Sequence, residues 1–215
     1  MSGVDFDRGI VRSPPVSPQA GGAAGRVGDV MISLVMLVFL APMLAAVVLA
    51  VLFLERGPVF VSNPRIGRQG REFNCLRFRA ASAPAGESRL DSFMGRGPDG
   101  AREMANLTSF GRFLRLSGLD KAPQFLNVLR GDMSIVGPAP ISAAEITRYG
   151  RRFSSYCSVR PGVTGLWQLR GRAGLPFQRR VAMDVLYVRN KSMLLDLAIL
   201  LEAIPTAILR PETQV

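Results

Sequence analysis

Hydrophobic and polar positions divide the chain unevenly. Val30 to Leu54, VMISLVMLVFLAPMLAAVVLAVLFL, is 25 residues without a charge. A membrane-spanning helix needs about 20 such residues, so the run predicts insertion in a bilayer rather than a buried core helix. Pro42 lies in its middle. It removes a backbone hydrogen bond and crowds the carbonyl of Val38, which predicts a kink or break. Arg8, Arg12 and Arg26 precede the run, and Arg56, Arg65, Arg68 and Arg71 follow it. Lys and Arg favour the cytoplasmic side. A helix–break–helix hairpin exports neither basic group; a straight span that exports a short tail stays open as the alternative.

The remaining elements are short. In Leu116–Pro140, LSGLDKAPQFLNVLRGDMSIVGPAP, residues Ala122, Phe125, Leu126 and Leu129 recur at helical spacing. Pro123 is tolerated only in the first turn, so the helix starts near Asp120 or Lys121. Gly131 ends it, and a strand-like run follows. Val59–Val61 and Phe73–Arg79 read as strands around the turn-rich Gly67–Gly70. In the second strand Phe73, Cys75, Arg77 and Arg79 share one face. Leu107, Phe110 and Leu114 mark an amphipathic helix, which packs on the core or lies on anionic lipid. In RPGVTGLWQLRGR, Arg160–Arg172, the pairs Pro161-Gly162 and Thr164-Gly165 predict tight turns, and glycines let backbone approach a ligand. Met183–Tyr187 begins a helical stretch that ends in Met193–Leu209. That last segment is apolar almost all round, carries Asp196 and Glu202, and is interrupted by Pro205. It suits the domain–membrane boundary better than a second span.

The predicted class is therefore α+β: a re-entrant membrane hairpin plus a small, mainly helical cytosolic domain with a short β-hairpin. Residues 1–25, rich in Gly, Pro, Ala and Ser, read as a disordered tail, not a signal peptide, because Asp5 and Asp7 fall where a basic region is needed. Residues 26–56 form the anchor and 57–215 the cytosolic domain, with a mobile loop at 82–103.

Composition narrows the chemistry. Lys plus Arg is 27 against 16 Asp plus Glu, a net charge of +11. That suits nucleic acid, anionic lipid or phosphorylated substrates. No nucleic-acid motif is present, and the aromatics are not interleaved with the basic clusters. Histidine is absent, which removes Ser-His-Asp and Cys-His triads and HExxH zinc sites. Cys75 and Cys157 alone make neither a disulfide framework nor a zinc site.

Asp120 admits two readings. It is an N-cap, or it is a carboxylate held at a helix N-terminus where a phosphorylated substrate docks. Arg77 and Arg79 likewise read as phosphate forks or as a solvated face.

GRFLRLSGLDKAPQFLNVLRGDMSIVGPAP, RPGVTGLWQLRGR and MDVLYVRNKSMLLD, taken in order, resemble the bacterial sugar transferases. These are monotopic polyprenyl-phosphate phosphoglycosyl transferases, and the resemblance runs from about Arg26 to Arg210. It implies transfer of a sugar 1-phosphate from a nucleotide diphosphate sugar to polyprenyl (undecaprenyl) phosphate, initiating a surface glycan such as an exopolysaccharide. It implies Asp120 as nucleophile through an aspartyl phosphosugar intermediate. Arg77, Arg79, Arg115, Arg160 and Arg172 become substrate-phosphate ligands, with Lys121, Gln124, Asp132 and Asp184 as further candidates. It also implies Mg²⁺, a hairpin broken at Pro42, and a place at the cytoplasmic face of the bacterial inner membrane. Whether copies of the chain self-associate stays open.

Four motifs depart from the family. Its Asp-Glu pair is here Asp120-Lys121, and its Gly-Pro-Arg-Pro is Gly137, Pro138, Ala139 and Pro140. Its Lys-Phe-Arg-Ser-Met is Arg77, Phe78, Arg79, Ala80 and Ala81. Its Asp-x-Arg falls on Met104 and Asn106. A homologue that binds ligand or partner without turnover is the alternative these changes suggest.

Overall fold

The uncharged run becomes the body of one helix, α1 (Ala23–Leu54). The computed structural model describes residues 22–54, 58–80, 107–170 and 176–209; the predicted loop at 82–103 and Arg172 lie outside these. α1 starts inside the segment expected to be tail. It continues through Pro42 without interruption, so the expected break is not seen as an end of helical structure. Proline's fixed φ is itself helical, so one lost hydrogen bond can be tolerated where the turns on either side are intact. Most of α1 is open: Val38 is 68% and Phe39 76% exposed. Both of its ends are docked. Arg26 Nη2 donates to the carbonyl of Leu129 at 3.1 Å, and Asp29 Oδ1 accepts from Ser134 Oγ and Ile135 N, each at 3.0 Å. Further along, Val47 and Val51 pack with Phe78, Leu114 and Ala122.

The two predicted strands pair as an antiparallel hairpin, β1 (Phe60–Ile66) with β2 (Glu72–Phe78), in a register that sets Val61 against Arg77. α2 (Ser109–Leu116) is capped by Thr108, whose hydroxyl accepts from Gly111 N at 2.9 Å. Leu114 is fully buried, so α2 packs on the core. A 3₁₀ turn, Leu119–Lys121, leads into α3 (Gln124–Arg130). Gly131 closes α3 at φ 97°, a left-handed conformation glycine adopts without strain. The buried face of α3 is not the apolar one the spacing suggested. Gln124, Asn127 and Val128 are buried, while Leu126 is 36% exposed.

β3 (Ser134–Val136) pairs in parallel with β4 (Gly162–Thr164). Residues expected to form a tight turn are therefore strand. A Cβ on Gly162 would lie 2.1 Å from Gly137 N, so here the glycine lets two backbones, rather than a backbone and a ligand, come together. α4 (Ile146–Tyr149), α5 (Phe153–Cys157), α6 (Leu166–Arg170), α7 (Phe177–Asn190) and α8 (Met193–Leu209) complete the order. α7 starts six residues before Met183, and α8 runs through Pro205.

Beneath α7 lies a buried charged cluster. Arg180 Nη1 meets Glu145 Oε1 at 3.3 Å, Arg65 Nη1 lies 4.0 Å from Glu145 Oε2, and Tyr149 donates to Asp184 Oδ2 at 2.6 Å. Burial pushes Asp184 up to about 6, against the pull of Arg180 and the Tyr149 hydrogen bond. A carboxyl raised in the folded state binds its proton more tightly than in the unfolded chain. Its contribution is therefore favourable at low pH and is lost as pH rises from about 4 through about 6. Asp184→Asn removes this dependence. The stability difference between parent and variant should move by roughly 2–3 kcal/mol across that window, read by denaturant unfolding at pH 4 and pH 7. An unchanged difference assigns the pH response to other groups.

Candidate active site

Asp120 is the second residue of the 3₁₀ turn, and Ala122 and Pro123 continue into α3 with helical angles. The turn is entered through Gly118 at φ 71°, and no side chain caps either the turn or α3. The N-cap reading of Asp120 therefore falls, because the residue lies inside the turn rather than before it. Asp120 as a residue is 3% exposed. Oδ2 accepts from Arg77 Nη1 at 3.4 Å, a pair whose side chains are 12% and 5% exposed. Oδ1 is buried and has no hydrogen-bond donor among the described residues. β2 and α2 both pack against this turn. Arg79, just past β2, and Arg115, in the last turn of α2, are half-buried on those two elements. Lys121 is half-buried in the turn, and Gln124, one turn on from Asp120, is buried.

Other predicted residues lie elsewhere. Arg160 Nε donates to the carbonyl of Gly131 at 2.9 Å, at the opposite end of α3 from Asp120. Asp132 sits at that same end, its Oδ2 3.4 Å from Asn127 Nδ2. Asp184 belongs to the charged cluster beneath α7. Pro42 is an exposed residue of α1.

Asn127 was not singled out from the sequence. It is fully buried, accepts from Leu76 N at 3.0 Å and donates to the carbonyl of Asn74 at 2.7 Å. An amide that meets both a donor and an acceptor of one strand fixes helix against strand in a single register. Here that register places Arg77, one residue beyond Leu76, across from Asp120. The available signal was position: Asn127 is three residues after Gln124 and next to Val128, on one face. Arg65 was missed as well. It lies buried in β1 with Arg77 and Cys75 nearby; burial and the Arg77 charge both lower its pKa, and burial raises that of Cys75.

The donor set around Asp120 does not suit the Mg²⁺ that the family resemblance implies. Mg²⁺ takes oxygen ligands, and the neighbours here are the cations Arg77 and Lys121. Among the described residues no three Asp, Glu, Cys or His side chains gather into a metal site. Ala139, at the position of the family arginine, is 2% exposed and has no polar side-chain atom to offer.

The family model described as "Bacterial sugar transferase" matches residues 21–210. The chain is 38% identical over 198 residues to the exopolysaccharide production protein ExoY of Rhizobium meliloti (strain 1021), covering 88% of this chain and 87% of that one. It is 36% identical over 192 residues to a protein of Caulobacter vibrioides named UDP-glucose:undecaprenyl-phosphate glucose-1-phosphate transferase, covering 84% and 68%. A Salmonella typhimurium protein named undecaprenyl-phosphate galactose phosphotransferase is 35% identical over 184 residues, covering 81% and 38%. The family match takes in α1, the hairpin bearing Arg77 and the turn bearing Asp120, so the chain belongs to the bacterial sugar transferase family.

Proposed function

We propose that the protein transfers a sugar 1-phosphate from a nucleotide diphosphate sugar to polyprenyl phosphate, the first step of a surface glycan. The names of the relatives support the reaction class. The observation that carries the residue assignment is the buried Oδ1 of Asp120, which no donor among the described residues reaches. Arg77 holds Oδ2, leaving Oδ1 to attack the phosphorus that carries the sugar. The bond from that phosphorus to the nucleoside monophosphate breaks, and an aspartyl phosphosugar forms. An oxygen of the lipid phosphate then attacks the same phosphorus and releases the carboxylate. A carboxylate nucleophile divides one hard displacement into two. Attack of an anion on an anion needs fixed positive charge nearby, which Arg77, with Arg79, Arg115 and Lys121 on adjoining elements, is placed to supply.

We further propose that α1 enters and leaves the bilayer on its cytoplasmic face, at the bacterial inner membrane. From Asp29 to Val47 a straight helix covers about 27 Å, close to the ~30 Å hydrocarbon core. Yet Asp29 is bonded to β3 and Val47 packs on β2 and α2, all parts of one domain. Contacts at both ends with one domain support two flanks held on the same side of the bilayer, with Pro42, which has no N–H to donate, as the place for a bend.

Three measurements test these readings. Asp120→Asn keeps an acceptor for Arg77 but loses the nucleophile, so release of nucleoside monophosphate from a panel of nucleotide sugars with undecaprenyl phosphate should fall by on the order of 10³-fold or more. Retained turnover rejects Asp120. For topology, cysteines placed at Ser13 and Ser62 should both resist a membrane-impermeant label in intact cells; labelling at Ser13 alone establishes a straight span, which Pro42→Leu should favour. For the metal, EDTA should leave most of the parent's turnover. Brisk turnover that needs millimolar Mg²⁺ overturns the role given to Lys121. Turnover only in Lys121→Glu with Ala139→Arg makes the natural protein a binding homologue.

A further inference from the structure

A second basic site lies at the other end of α3. A cavity of about 220 Å³ is walled by Arg26, Arg68, Arg160 and Lys191, with Asp29 and Asp196 beside them. Both carboxylates are already engaged: Asp29 with Ser134 and Ile135, and Asp196 with the Tyr187 hydroxyl at 2.7 Å. Arg160 and Arg26 are engaged in part, and the Lys191 ammonium lies 6.0 Å from the Tyr187 ring centroid. Arg160 uses Nε on the Gly131 carbonyl, and Arg26 uses Nη2 on that of Leu129. Arg26 Nη1 is buried with no acceptor among the described residues. Their mutual repulsion shows in Arg160, whose pKa is lowered by burial and by the charges of Arg26 and Arg68. A buried donor with nothing to bond is costly, and a tetrahedral dianion or monoanion seated among guanidinium groups would remove that cost.

The surroundings say what carries the anion. The cavity wall includes the starts of α1 (Gly22, Ala24, Gly25) and of α8 (Ser192, Met193), so the positive ends of two helix dipoles lie beside it; at α8 the Ser192 hydroxyl already accepts from Leu195 N at 3.1 Å. These are the two most apolar helices. On α1 Val27 is 61% and Met31 55% exposed; on α8 Met193 is 67% and Leu194 78% exposed. Charge inside with bare apolar side chains alongside is the complement of a phosphate headgroup attached to acyl or prenyl chains.

We propose that this cavity binds the phosphate headgroup of an anionic membrane lipid, at a site separate from Asp120. The proposal rests on the membrane placement of α1 and does not require turnover. Bound lipid ties the C-terminus of α3, the start of α1 and the start of α8 to the bilayer surface, holding the domain at a fixed depth.

The test uses the full chain in an uncharged detergent, read by thermal unfolding. Added phosphatidylglycerol should raise Tm by about 4 °C or more, and phosphatidylcholine or inorganic phosphate at the same concentration should do much less. Arg68→Gln with Lys191→Gln should lose at least half of the shift, and Arg68→Lys with Lys191→Arg should keep it. Arg151→Gln with Arg152→Gln removes two charges from another surface and should also keep it. Equal loss in both glutamine pairs reduces the effect to general charge attraction and overturns the site. Equal shifts from the two lipids overturn it as well, and an equal shift from inorganic phosphate overturns the lipid assignment. If the first glutamine pair does not fold, failure of the charge-keeping pair to retain the shift has the same force. Loss of turnover in Asp120→Asn leaves every one of these outcomes readable.

Discussion

The arrangement around Asp120 depends on one amide. Asn127 meets the backbone of β2 with both its oxygen and its nitrogen, and a strand slipped by one residue could satisfy neither. A one-residue slip also turns every side chain to the opposite face, which would carry Arg77 away from the carboxylate and put Leu76 or Phe78 in its place. The ion pair between Arg77 and Asp120 is thus a consequence of a hydrogen-bonded register, not its cause. At 3.4 Å, with Asp120 buried and Arg77 partly so, the pair needs that external support, because desolvating two charges offsets most of their attraction.

The same economy runs through the interior. Arg65, Glu145 and Arg180 are withdrawn from water together, and Glu145 also accepts from the backbone N and hydroxyl of Ser142. Such a cluster adds little net stability over well-packed apolar side chains. What it does add is directionality: removing one member leaves another charge buried and unpaired. Arg65 stands between this cluster and Arg77, so the electrostatics of the candidate site and those of the domain centre are continuous.

Much of this was legible in the chain. Gly131 as the stop of α3, the β-hairpin around Gly67–Gly70 and the helix carrying Leu114 follow from local backbone and burial rules, and the structure has all three. The errors share a cause. Apolar spacing pointed to Leu126 as core, but a polar residue can be buried if it has partners, and Asn127 has them 51 and 53 residues away. Sequence spacing also could not say at which end of α3 a distant arginine falls, and Arg160 went to the other one. Gly162 was read as a turn because its strand partner, Ser134, is remote. Asp120 and Arg77 were singled out separately, one at an expected helix start and the other by strand alternation as a phosphate ligand; their ion pair and the amide clamp behind it were not expected.

The bonds from Asp29 to Ser134 and Ile135 bear on how the protein can be handled. An anchor joined only by a linker can be cut off to give a soluble catalytic fragment. Here the first turns of the anchor supply the acceptor for two donors of β3, and Arg26 closes a carbonyl of α3. Deleting α1 would strip those groups from the domain as well as the apolar cover from Phe78 and Leu114. A water-soluble version therefore has to be designed by resurfacing the lipid-facing side of α1 while keeping Arg26, Asp29, Val47 and Val51, and not by truncation.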